Sequence, residues 1–391
     1  MSINEAIAKT VATMPLFDHH CHGILCDDLS RTEFESLISE SSWPASKGTT
    51  RFDSQVGFQV LGQCGPLLAQ GREASSVDQT FLSPSQYISQ RSNLGWAQVN
   101  KRLMREANIT SFGVETGHTP AEITSPSGLA EFAGGNSHEI IRLERIAEDV
   151  FNDATNKDTT TNEYLQLLDE ALDSRLQNAV GVKSIAAYRI GFNFSPEKPS
   201  RAELEQCISS LLKEQKPVRL KSPVLTRYLL WWAIEREQVI QLHVGYGDDD
   251  VDLHRANPLL LMEIFRASID SGARFTLLHC YPYQREAGFL ADVFPHVYFD
   301  VGLAVNYTGA RSSAIIAESL ELAPFGKILF STDAFGLPEL YYLGAKLFRK
   351  GLTSVLSEFA DTAGWPVHEC NRVAKMIGYD NAARLYSVDD R

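Results

Sequence analysis

The chain has 391 residues, 44% of them hydrophobic and 22% charged, with a formal net charge of -13. That is the composition of a globular protein with a large core, and the acidic balance speaks against a general nucleic-acid binder or an anionic-membrane binder. No apolar run is long enough to cross a bilayer, residues 1–14 lack a basic start followed by an apolar core, and the six cysteines are scattered without a Cys-x-x-Cys pair, so a reduced cytoplasmic protein without a signal peptide is expected.

In chain order, residues 2–14 read as a short helix leading into Phe17-Asp18-His19-His20-Cys21-His22-Gly23. If this stretch is a strand, its side chains alternate between faces, so Asp18, His20 and His22 point the same way. Two imidazoles two residues apart on one rigid face can hold a single ion such as Zn²⁺. Residues 24–108 contain no clear strand; helical runs at 33–40, 58–68 and 96–107 are separated by loops rich in Ser, Gly and Pro. An insertion of this length after a first strand is expected to be a helical cap over the site, with a peripheral decoration as the alternative.

Beyond it, short apolar runs at 110–115, 139–143, 179–185, 239–243, 274–279, 297–300 and 328–333 alternate with helical stretches at 163–176, 201–214, 226–238, 259–271 and 312–322. The tail reads as helices at 337–348, 352–362 and 369–376. About eight strands in β–α alternation predict the α/β class: a (β/α)8 TIM barrel as one domain over 1–391, with 24–108 as cap and C-terminal helices wrapping the barrel. An open doubly wound sheet is the alternative, weakened by the absence of a Gly-x-Gly-x-x-Gly turn or a phosphate loop.

In such a barrel, active sites lie at the C-terminal ends of the strands. The runs here end in His20 and His22, in Glu115 followed by Gly117 and His118, and in His243, His279 and Asp333, with Lys183 inside the fourth run. Imidazoles with a carboxylate suit Zn²⁺, Mn²⁺ or Fe²⁺, and such an ion lowers the pKa of a water toward neutrality and supplies hydroxide. Asp333 can take that water's proton and pass it to a leaving group. Lys183 has two readings: a neutral amine that adds CO₂ to give a carbamate bridging two ions, or a buried stem with its ammonium paired to a carboxylate.

Tyr188 and Arg189 follow the fourth run closely. They are candidates for binding a substrate carboxylate, with a helix-start ion pair as the alternative, and Glu115 joins them as a candidate for substrate contact. His118 reads as a solvated loop histidine, Asp248, Asp249 and Asp250 as a solvated acidic loop, and Cys280 as a buried thiol. His19, His138, His254, His296 and His368 are expected to be structural.

With these residues in view, the chain resembles the amidohydrolase superfamily of metal-dependent TIM-barrel enzymes. The matches are Asp18-x-His20-x-His22, Lys183, His243, His279 and Asp333 in Ser331-Thr332-Asp333. It looks most like the amidohydrolase-2 branch. The stretches Lys183-Ser184-Ile185-Ala186-Ala187-Tyr188-Arg189 and Leu329-Phe330-Ser331-Thr332-Asp333-Ala334 are similar to amidohydrolase domains fused to glutamine-synthetase-like domains, although this chain ends too soon to include such a second domain. The resemblance implies one divalent ion on His20, His22, His243 and Asp333, and a second on carboxylated Lys183 and His279. Zinc is the first expectation, with manganese or iron as alternatives.

It further implies cleavage of a C–N amide bond in a small carboxylate-bearing substrate, with Asp333 and His279 catalytic. A metal-dependent non-oxidative decarboxylase or other lyase is the alternative chemistry, and a non-enzymatic binding protein on the same scaffold is a third reading. The expected partner is a small molecule, with no nucleic acid and no membrane, and the superfamily suggests a homo-oligomer.

Overall fold

The computed structural model describes residues 2–69, 81–118, 123–154, 159–213, 217–388 and 390. Seven strands follow one another: β1 Phe17–Cys21, β2 Ser111–Glu115, β3 Asn136–Arg142, β4 Ala179–Ser184, β5 Val239–Val244, β6 Arg274–His279 and β7 Val297–Phe299. They form one parallel sheet in chain order, each strand hydrogen-bonded to the next. Parallel neighbours require crossovers, and helices supply them: Thr161–Leu176 before β4, Pro223–Glu235 before β5, and Gln284–Val293 before β7. The fold is therefore mixed α/β, as the alternation of apolar runs and amphipathic stretches predicts.

The expected eighth strand is corrected, because 328–333 is not a regular strand. It meets β7 at one parallel bridge, Phe299↔Ile328, where Leu329 N donates to Phe299 O. It meets β1 where His19 N donates to Phe330 O and Asp333 N donates to His20 O. The segment thus bonds to both edge strands of the sheet. Its polar groups explain the irregularity. Ser331 bonds to Asp300, Thr332 bonds to Asp18 through both its amide and its hydroxyl, and Asp333 takes φ 49°, a left-handed conformation that ends a strand.

The tail differs from expectation for a packing reason. Two helices at 337–348 and 352–362 are in fact one, Pro338–Ala363. Gly351 sits mid-helix, where a Cβ would lie 2.5 Å from Ile316 Cδ1 on the neighbouring helix Ser312–Ser319. Close approach, not a turn, demands the glycine. The stretch 259–271 is shorter and broken, with a 3-10 turn Pro258–Leu261 leading into the helix Met262–Ala267. The stretch 201–214 forms the helix Arg201–Leu211, and residue 214 lies outside the described residues.

Between β1 and β2 the helices are Arg31–Leu37, Gln55–Gln59, Gly65–Ala69, Pro84–Leu94 and Trp96–Ala107, with a π-turn Val60–Cys64. They divide in role. Trp96–Ala107 packs against the long helix Pro338–Ala363, and Arg349 donates to Ala107 O at 2.8 Å. Ser36 and Leu37, at the end of the first of them, and residues 39–42 after it line a cavity of about 880 Å³ instead.

The interior has two apolar clusters. A small one joins Phe17, Ile140, Val239 and Leu329 to Tyr379 and Tyr386, so the last helix Asn381–Tyr386 packs against the N-terminal halves of the strands. The larger one holds the helices against the sheet.

One polar strut ties the insertion to the tail. Arg91 Nε and Tyr87 Oη both donate to Glu339 Oε1, at 2.9 and 2.8 Å, with all three side chains buried. Removing one member of a buried ion pair strands the other charge, so Arg91→Met costs about 3–5 kcal/mol. Arg91→Met with Glu339→Gln recovers part of that loss. Denaturant unfolding of both variants checks this, and a double variant no more stable than the single one contradicts it.

Candidate metal centre

The strand ends bring the expected donors together. Asp333 Oδ1 lies 3.0 Å from His20 Nε2 and 3.5 Å from His22 Nε2, and its Oδ2 lies 3.4 Å from His279 Nε2. One donor atom each from His20, His279 and Asp333 falls within 4.8 Å of the others. His243 stands beside this group, its ring centroid 4.7 Å from that of His279, with Tyr188 packed on its other neighbour side at 4.3 Å. Lys183 Nζ lies 2.9 Å from His20 Nε2, and among the described residues it pairs with no carboxylate.

Each donor is held by a partner from another element. Gln241, on β5, accepts at its Oε1 from His20 Nδ1 at 2.8 Å, while its Nε2 donates to His19 O and to Tyr386 Oη. That bond fixes the proton on His20 Nδ1 and leaves Nε2 as a lone pair aimed at Asp333. Glu115 stands behind His22, its Oε2 3.4 Å from His22 Nδ1, and is clamped by Arg142 and by Gly117 N. Asp300 Oδ1 accepts from His279 N, Gly302 N and Ser331 Oγ at 3.1, 2.8 and 2.7 Å. His279 and Asp333 both have positive φ, 69° and 49°, a conformation costing about 1–3 kcal/mol each that these bonds hold in place.

Burial sets the charge states. It pushes His20 down to about 3, with Lys183 adding to the shift, and His279 down to about 4. His243 falls well below its usual value for the same first reason, followed by His279 and Lys183. These rings are therefore neutral at pH 7, which is the form that ligates a cation. Burial works against Asp333, but the surrounding imidazoles, His279 first and then His20 and His22, outweigh it and hold the carboxyl well below the usual range. Burial also lowers Lys183, to about 8. His243 Nε2 and both ring nitrogens of His279 are buried without a hydrogen-bond partner. Neutral imidazoles with unspent nitrogens around an ionised carboxylate fit a divalent ion such as Zn²⁺, Mn²⁺ or Fe²⁺.

A cavity of about 880 Å³ opens onto this group, lined by His22, Lys183, His243 and Asp333 and by loop residues that include Glu40 and Arg189. Arg189 Nη2 lies 3.2 Å from Glu148 Oε1, while its Nε is buried without a partner. Tyr188 faces the cavity against His243. Glu115 is not part of the lining; it is buried behind His22. His118 lines the cavity, its ring 4.8 Å from that of Phe335.

Some expectations about neighbours change. Asp18 does not join the imidazoles but accepts from Thr332, because the register of β1 against β2 shifts between Asp18 and Cys21 and breaks simple alternation. His19 turns to Asp300 and Tyr386, at 3.0 Å each, in a structural role. The residues absent from the sequence reading are Gln241, Asp300, Arg142 and Glu40. Gln241 carried a signal, since it sits two residues before His243 and so on the same face of β5.

Two outcomes follow from these supports. Gln241→Leu frees the His20 ring and weakens metal affinity about 10–100-fold, read by competition against a chelator; unchanged affinity contradicts the assignment. Glu115 is raised by burial but brought down to about 2, chiefly by Arg142 and then His22. A depressed carboxyl stabilises the fold above its unfolded pKa, and that contribution fades as the pH drops from about 4.5 toward 2. Arg142→Met is therefore less stable at pH 7 and loses less stability than the parent between about pH 5 and pH 3 in denaturant titrations. A variant with the parent's acid sensitivity overturns this.

Comparison with known proteins agrees with this geometry. The chain is 25% identical over 430 aligned residues to Protein fluG of Emericella nidulans; the match takes in all of this chain and 48% of that protein, so the chain spans about half the length of this curated relative. A crystal structure of a candidate metal-dependent hydrolase from Lactobacillus casei superposes with a TM-score of 0.81 at 27% identity, covering 97% of each chain. A uronate isomerase from Bacillus halodurans superposes with a TM-score of 0.65 at 14% identity over 99% of this chain and 97% of its own, a likeness of fold alone. A family model described as amidohydrolase matches residues 149–388, more than half of the chain. The chain belongs to the amidohydrolase-2 family.

Proposed function

We propose that the protein is a metal-dependent hydrolase that cleaves a C–N amide bond in a small substrate bearing a carboxylate. The observation that carries this reading is one ionised carboxylate, Asp333, within 3.0–3.5 Å of three imidazole nitrogens at a large cavity. His20, His22, His279 and Asp333 would hold a divalent ion, zinc in the first instance, with His243 beside them. Such an ion polarises a carbonyl and makes water more acidic.

The chain's own groups do the rest. Asp333 is ionised at neutral pH, so it can accept a proton from the attacking water and return it to the leaving nitrogen. His279 stays neutral and is held in register by Asp300. Arg189 lines the cavity, held by Glu148, and a guanidinium there suits a substrate carboxylate. Lys183 supports a second ion: its amine is buried and pairs with no carboxylate among the described residues, and burial lowers it to about 8, which raises the fraction in the neutral form that adds CO₂.

The bonds from 328–333 to both edge strands support a closed ring in which this irregular segment takes the eighth place. The placement of 36–42 at the cavity supports a cap within a single domain. Among the described residues no helix is long and apolar enough to cross a membrane.

Hydrolysis is tested on a panel of acyl-amino-acid and glutamyl amides. Removing the metal with a chelator abolishes amine release and adding zinc back restores it, while Asp333→Asn lowers kcat about 10²–10⁴-fold. Amine release by metal-free protein, or CO₂ release from carboxylic acids without amine release, sinks the proposal.

A further inference from the structure

The cavity lining carries charges of both signs. Its arginines have carboxylate neighbours: Arg189 pairs with Glu148, and Arg219 with Asp250. Glu40 has no such counterpart. Among the described residues it forms no ion pair with a lysine, arginine or histidine, and the charged groups nearest to it in effect are two more carboxylates, Asp333 and Asp248. Tyr188, Tyr307 and Asp248 line the same cavity.

The position of Glu40 is fixed from both sides. The helix Arg31–Leu37 ends three residues before it. Trp43, three residues after it, donates from Nε1 to Asp249 Oδ2 at 2.7 Å, across 206 residues of chain. This contact pins the segment 40–43 to the loop after β5, beside Asp248. A carboxyl that lines a cavity with Asp248, Tyr188 and Tyr307 and has no cationic partner among the described residues is poorly served by the protein alone. A cationic group relieves the repulsion and gains both charge-assisted hydrogen bonds and contact with aromatic faces.

We propose that Glu40 determines specificity by receiving an ammonium group of the substrate, flanked by Asp248, Tyr188 and Tyr307. With Arg189 available for a carboxylate, the cavity then selects amides of amino acids that keep both their ammonium and their carboxylate. This rests on the amide-hydrolysis reading. Burial, then Asp333, pushes the Glu40 carboxyl up to about 7, in keeping with a group that lacks a cation.

The test uses two matched pairs of probes and the full-length, metal-loaded protein. Turnover is followed with the γ-p-nitroanilide of L-glutamate and with glutaric acid mono-p-nitroanilide, which lacks only the ammonium. Binding is followed by calorimetry with L-glutamate and with glutarate. The parent favours the ammonium-bearing member of each pair about tenfold or more, and Glu40→Gln, which keeps the size of the side chain, collapses that ratio mainly through KM. Glu40→Gln retains its metal content, since Glu40 is not a ligand. Equal preference in the parent, an equal loss for both members in Glu40→Gln, or no binding by either acid overturns the proposal. A binding preference that depends on Glu40 without turnover of either anilide upholds the ammonium site and rejects hydrolysis, so the two readings fail separately.

Discussion

The molecule is organised around the problem of burying a carboxylate among imidazoles. Asp333 has three ring nitrogens within 3.5 Å, and none of the three rings is free to drift. Gln241 fixes His20 from β5, Glu115 stands behind His22 from β2, and Asp300 holds the backbone of His279 from the end of β7. Desolvation alone would raise the carboxyl and neutralise it. It stays ionised because dipoles and neutral rings from several separate strands converge on it, and that convergence exists only if the strands keep their register. Geometry of the sheet and chemistry of the site are one constraint here.

That constraint explains where the backbone departs from regularity. His279 and Asp333 sit in left-handed conformations that end regular strand structure, and Ser331 and Thr332 direct their polar groups to Asp300 and Asp18. The segment 328–333 gives up regular pairing so that Asp333 turns inward, while its carbonyl and amide bonds to β1 keep it in place. Strain and support occur at the same residues, as expected where function over-determines local structure.

The donors of the site were legible in the sequence, because histidines, a lysine and an aspartate at or near the ends of apolar runs are chemically conspicuous. The α/β class was legible for a similar reason: period and composition change sharply between strand and helix. What escaped is of a different kind. Gln241, Asp300 and Glu40 are ordinary polar residues whose meaning depends on partners far along the chain; Gln241 meets His20 across 221 residues. The period-two rule placed Asp18 with the histidines and failed at the register shift within β1, which no local pattern announces. The tail read as two helices, 337–348 and 352–362, and is one, with Gly351 a contact point between helices that is visible only once Ile316 is known to lie against it.

The same division separates what the site does from what it accepts. The candidate ion-binding donors come from strand ends and the segment beside β1, where backbone bonding on both sides leaves little freedom. Glu40, Tyr188, Arg189 and Asp248 come from loops and short turns around the cavity, and they reach the metal group by field and packing more than by covalent proximity. A side chain on such a loop can change charge or size without shifting a strand, so selectivity can be altered while the chemistry is retained. In this chain the loop that carries Glu40 is additionally tied by Trp43 to the loop after β5. Two separate segments must therefore be in place together before the cavity has its full set of charges, which couples the shape of the entrance to the electrostatics at Asp333.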